Sequence, residues 1–101
     1  MRIFKYQLPV PEAPSSYVDV EMPEGARVLS AGAQNGEVVV WALVDPHAKT
    51  VLRRFAIYPT GLTEVPEHPV NFVGTVMLLG GALVFHVFDV GEEPHEPPPA
   101  A

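Results

Sequence analysis

The sequence predicts an all-β domain, a small antiparallel β-sandwich or barrel of about seven strands with a proline-rich C-terminal tail. Three observations predict it. Short runs alternate apolar and polar residues, turn-forming Gly, Pro and Asn separate the runs, and no stretch carries a convincing 3.6-residue helical period. The 101 residues suit a single domain with one core, which buries roughly two-thirds of the unfolded chain's surface. Residues 1–90 are read as that domain and residues 91–101 as an extended tail.

The elements follow in order. Residues 3–8 alternate, with Phe4, Tyr6 and Leu8 on one side and Lys5 and Gln7 on the other, the pattern of a half-buried strand. Pro9, Pro11, Pro14, Ser15 and Ser16 make a loop, because proline removes ladder donors and fixes φ. Residues 17–22 place Val18, Val20 and Met22 inward opposite Asp19 and Glu21, and Pro23-Glu24-Gly25 closes the run. Strands at 26–34 and 37–44 flank Asn35-Gly36, the strongest short-range hairpin signal, since both central residues of a type I′ turn need φ > 0. The second of these, Val38-Val39-Val40-Trp41-Ala42-Leu43-Val44, is apolar on both faces and is expected to be covered on both sides or to sit at a subunit interface.

Residues 45–50 read as a surface connection. Residues 51–58 form a strand with Phe55 and Ile57 on one face and Arg54 and Tyr58 on the other, which Pro59-Thr60-Gly61 breaks. An acidic, proline-punctuated loop over 62–69 leads to a final hairpin, 72–89, turning on Gly80-Gly81. The tail that follows has four prolines and no apolar period, so it reads as polyproline-like. It is expected to lie across a partner surface, its prolines lowering the entropy cost of docking.

Charge and composition narrow the function classes. Twelve acidic against six basic residues give a net charge of −6, which repels phosphate backbones and anionic membranes and argues against both as partners. No run approaches the ~20 apolar residues of a membrane helix. With no cysteine there is neither a disulfide framework nor thiolate-bound zinc. Neither His-x-His nor His-Glu-x-x-His occurs, and no metal, cofactor or catalytic residue is expected. The serines lack a glycine elbow, so the chain reads as a non-enzyme.

Five residues are candidates for ligand binding. Arg54 and Tyr58 share a strand face and could grip a phosphate or stack a base, although pairing of Arg54 with Asp45, Asp89 or Glu37 is the plainer expectation. Only His86 among the four histidines lies within a strand, and a partly buried imidazole satisfied by backbone or a carboxylate is its expected state. Thr60 borders a glycine turn. Trp41 on a central strand is expected to fill the core, with a binding platform as the minority outcome.

The motifs Ile3-Phe-Lys-Tyr6, Met22-Pro-x-Gly25-Ala, Gln34-Asn-Gly36, Trp41-Ala-Leu-Val-Asp-Pro46, Arg53-Arg-Phe55, Tyr58-x-Thr60-Gly61, Gly74-Thr75 and Gly81-Ala-Leu-Val-Phe-His-Val-Phe88 together resemble a family of small uncharacterised proteins of tailed bacteriophages and prophages. The likeness spans residues 3–88; the proline loop at 9–16 and the tail lie outside its pattern. It supplies no catalytic residues. It implies a phage origin, synthesis in a bacterial host cytoplasm and the virion as a further destination. Two functions are compatible with it. One is a structural or interaction protein, such as a capsid decoration or minor virion subunit that binds itself or other virion proteins and works as a homo-oligomer. The other is a counter-defence protein that sequesters a host signalling nucleotide, a small anionic ligand, in a pocket between subunits.

Overall fold

The computed structural model describes residues 1–11, 16–61, 64–67 and 69–93. Its seven strands are β1 (Arg2–Leu8), β2 (Tyr17–Pro23), β3 (Arg27–Gln34), β4 (Glu37–Val44), β5 (Thr50–Pro59), β6 (Phe72–Leu78) and β7 (Leu83–Glu92). They form two antiparallel sheets, one ordered β1-β4-β3 and the other β2-β5-β7-β6. The sheets pack face to face as a sandwich, with β3 against β6 along one flank. There the absent side chain of Gly74 lets the two backbones close, since a Cβ on it would stand 3.4 Å from that of Ala31.

Alternation decides what the sandwich buries. Leu8, Val38, Val40, Ala42 and Val44 point inward from the three-stranded sheet and meet Met22, Phe55, Ile57, Val76 and Val87 from the other. Each fully buried large side chain contributes about 1.5–3 kcal/mol of transfer free energy. Val18, Val20 and Tyr6 pack against this cluster from its margins, on the faces expected of them.

Both predicted hairpins form. Gln34 pairs with Glu37, and Asn35 and Gly36 carry φ of 53° and 77°, the type I′ signature. Leu78 pairs with Leu83 around the turn Leu79–Gly81, where Gly80 and Gly81 have φ of 65° and 95° and the Ala82 N–H donates to the Leu79 carbonyl.

Two expectations need correction. Trp41 does not fill the core. The even-numbered residues of β4 point inward, so Trp41 stands with Val39 and Leu43 on the outer face of the three-stranded sheet, half-buried and lying over Gly32, where a Cβ would come within 3.0 Å of its ring. Val39 is nevertheless only 3% exposed. A hydrogen bond from Lys5 Nζ to Gln34 Oε1 crosses β4 between the positions of Trp41 and Glu37, so these two side chains close over Val39, while Ile3 beside Leu43 stays exposed. The second correction concerns the domain's end. β7 runs through Gly91 and Glu92 rather than stopping at residue 90, because a bulge at Val90 re-phases the strand and lets these two pair with Arg54 and Arg53. The predicted tail beyond Glu93, the loop residues 12–15, residues 62 and 63, and His68 lie outside the described residues.

Candidate functional site

The outer face of the four-stranded sheet is built in three cross-strand rows. The middle row runs Tyr17, Ala56, Phe88, Phe72; on one side of it lie Asp19, Arg54 and Gly91, and on the other Tyr58, His86 and Thr75. Side chains of one row on neighbouring strands stand about 4.5–5.5 Å apart. The register therefore turns residues scattered between 17 and 91 into one surface.

Aromatic side chains dominate its centre. Phe88 receives Tyr58 from one side and Phe72 from the other, both edge to face, with centroids 5.7 and 5.4 Å apart. Ala56 has too small a side chain to rise between them, which leaves a groove of about 230 Å³ lined by Tyr17, Ala56, Tyr58, Phe88 and Val90 and by Pro66, Pro69 and Val70 of the connecting loop. The groove is mainly apolar. Burial, with a lesser contribution from Tyr17, raises the Tyr58 hydroxyl above the usual tyrosine range.

Polar groups bracket the groove. At one end Arg54 donates to both Asp19 oxygens at 2.9 and 3.3 Å, pairs with Glu93 at 2.9 Å and lies 5.2 Å from the Tyr17 ring centroid. The hydrogen bond to Asp19 raises its pKa further, so it stays cationic with two carboxylates already in contact. At the other end His86 bridges two threonines, its Nε2 2.7 Å from Thr60 Oγ1 and its Nδ1 3.0 Å from Thr75 Oγ1. A hydroxyl can donate or accept, so this pair satisfies either neutral tautomer.

Four of the five predicted residues, Arg54, Tyr58, Thr60 and His86, thus share one face. Trp41 lies apart, on the outside of the other sheet. The partners differ from those expected. Arg54 takes Asp19 and Glu93 rather than Asp45, Asp89 or Glu37, and His86 is held by hydroxyls rather than by backbone or a carboxylate. Pairing of β2 with β5, which places Asp19 opposite Arg54, is a long-range fact that no local pattern encodes.

Sequence reasoning missed the role of Arg53. It shares the inward face with Phe55 and Ile57, and it forms a bidentate pair with Asp89 at 2.9 and 2.7 Å while donating to the Ala26 carbonyl at 2.9 Å. Asp89 is 7% exposed and also accepts from the Gly91 N–H. The pair lies beside a second cavity, of about 360 Å³, bordered by Arg27, Leu29 and Asn71. Parity along β5 is the signal that could have found it. Among the described residues every buried side-chain nitrogen and oxygen has a partner, and no group of three or more His, Asp or Glu is placed to hold a metal.

The fold and this face together define a class: a seven-stranded antiparallel sandwich that presents an aromatic, proline-lined groove on one outer surface. The chain belongs to the family described as a domain of unknown function, DUF7352, whose model matches residues 1–97. No curated protein and no solved structure matches it.

Proposed function

We propose that this chain is a non-enzymatic interaction protein of a tailed bacteriophage or prophage, an accessory structural subunit that binds neighbouring copies or other virion proteins through the groove face. The groove itself carries the reading. It gathers apolar and aromatic surface between polar rims, with Tyr17 47%, Val70 50% and Val90 38% exposed, the composition that distinguishes protein-binding patches from ordinary surface. The bacterial cytoplasm is where such a subunit is made, and the particle is where it acts.

The alternative, capture of a signalling nucleotide, needs a cation with donors to spare beside an aromatic platform. Arg54 meets two carboxylates, Arg53 is engaged by Asp89, and Trp41 is on the other sheet, so the weight falls on protein binding. Two measurements test the reading. Light scattering is expected to give a mass above the single-chain 11.0 kDa, and mass spectrometry of purified particles is expected to find the chain in them. A monomer absent from particles, whose melting temperature rises with a cyclic or linear nucleotide by ligand linkage, would reverse the assignment.

A further inference from the structure

We infer that the groove on the outer face of the four-stranded sheet receives the proline-rich C-terminal segment, residues 94–101, of a second copy of this chain. The inference rests on the assembly reading and names its partner. Two observations lead to it.

The first is chemical. Proline rings pack well on aromatic faces, and proline-rich segments dock in aromatic-lined grooves at low entropic cost because their extended form is already set. This groove is walled by Tyr17, Tyr58 and Phe88 and already holds Pro66 and Pro69 beside them. The segment after Glu93 carries Pro94, Pro97, Pro98 and Pro99, so each copy brings one matching occupant for each groove.

The second is direction. β7 travels along β5 from the Tyr58–His86 pair, past Ala56–Phe88, to Arg53–Glu92, and the Glu93 N–H then donates to the Leu52 carbonyl at 2.8 Å. The chain therefore passes its own groove and leaves heading away from it. Arg54 fixes that exit by holding the Glu93 carboxylate.

A tail seated in a neighbour's groove joins two different surfaces, so it builds a ring if the rotation closes and a chain of subunits if it does not.

Complementation tests this directly. One protein ends at Glu93, keeping all seven strands and the groove but no tail; the other is full-length Val70→Asp, keeping the tail but placing a carboxylate at an exposed wall of the groove. The weight-average mass of the full chain is expected to exceed one chain, each variant alone to fall to one chain, and their mixture to regain a two-chain species. A synthetic peptide of residues 94–101 should shift the amide resonances of Tyr17, Ala56 and Val90 in the shortened protein, and the same peptide with Pro97, Pro98 and Pro99 changed to Ala should not. Self-association that persists in both variants would overturn the tail's role while leaving the assembly reading intact. A monomeric full chain whose groove resonances already match the peptide-bound state would overturn the second copy in favour of its own tail. A full chain that is monomeric, with a groove that ignores the peptide, would overturn both.

Discussion

Tyr58 lies on an outer sheet face and yet is only 6% exposed, because Phe88 and the prolines of the connecting loop surround it. Burial disfavours the phenolate and raises its pKa above 10 in the folded state. The folded protein then binds more protons than the unfolded chain once pH exceeds the ordinary tyrosine value, so stability is intact below about 10 and declines as pH rises toward the folded value. Tyr6 adds to the decline for the same reason. Urea denaturation between pH 9 and 11 is expected to show a steeper loss for the wild type than for Tyr58→Phe; equal slopes would mean the hydroxyl is as well solvated folded as unfolded. Leu79 tells the opposite story. It is 75% exposed and holds a φ of 51°, a conformation that costs a non-glycine residue about 1–2 kcal/mol. Leu79→Gly gives up little contact and relieves that cost, so stability should rise by about 0.5–1 kcal/mol after glycine's own entropy penalty. A lower urea midpoint in this variant would show that the leucine makes contacts the turn depends on.

At the scale of elements, the Arg53–Asp89 pair ties β5 to β7 and, through the Ala26 carbonyl, to the start of β3. The side chains are 13% and 10% exposed, so removing one partner strands a nearly buried charge. Asp89→Ala is expected to cost about 3 kcal/mol, and Asp89→Leu combined with Arg53→Met to recover part of it, since the desolvation penalty disappears with both charges. An additive double variant would show the pair to be energetically inert. These strands also mark where the sequence is legible. Alternation revealed the inward faces of β1, β2 and β5, and Asn35-Gly36 and Gly80-Gly81 revealed two of the hairpins, because both signals are local. In β4 every position from Val38 to Val44 is apolar, so alternation carried no information about facing and Trp41 was placed on the wrong side. The bulges at Leu29, Val73 and Val90 shift registers without a sequence mark. The groove was half legible: Arg54, Tyr58, Thr60 and His86 were found by type and parity, whereas Tyr17, Phe88 and the prolines join them only through pairings of β2 with β5 and β5 with β7 and through the course of a loop.

Over the whole molecule, the sandwich has two unlike outer faces. That of the three-stranded sheet is closed over Val39 by the Lys5–Gln34 hydrogen bond crossing β4, and leaves Ile3 exposed on its edge strand. That of the four-stranded sheet leaves an apolar groove open beside an ion-paired rim. A net charge of −6 keeps copies apart at long range and is screened within roughly 8 Å at physiological salt, so association through an apolar groove should strengthen modestly with added salt. On the function proposed above, the groove face is where this protein meets its neighbours. Amide hydrogen exchange measured on the full chain over a concentration series tests it most directly, because binding protects the backbone at the contact. Protection growing with concentration at Glu64, Val65, Glu67, Val70 and Asn71 and at Val90 and Gly91, with β1 and β3 unchanged, is the predicted result; growth instead around Ile3, Leu29 and Trp41, or none anywhere, would contradict it.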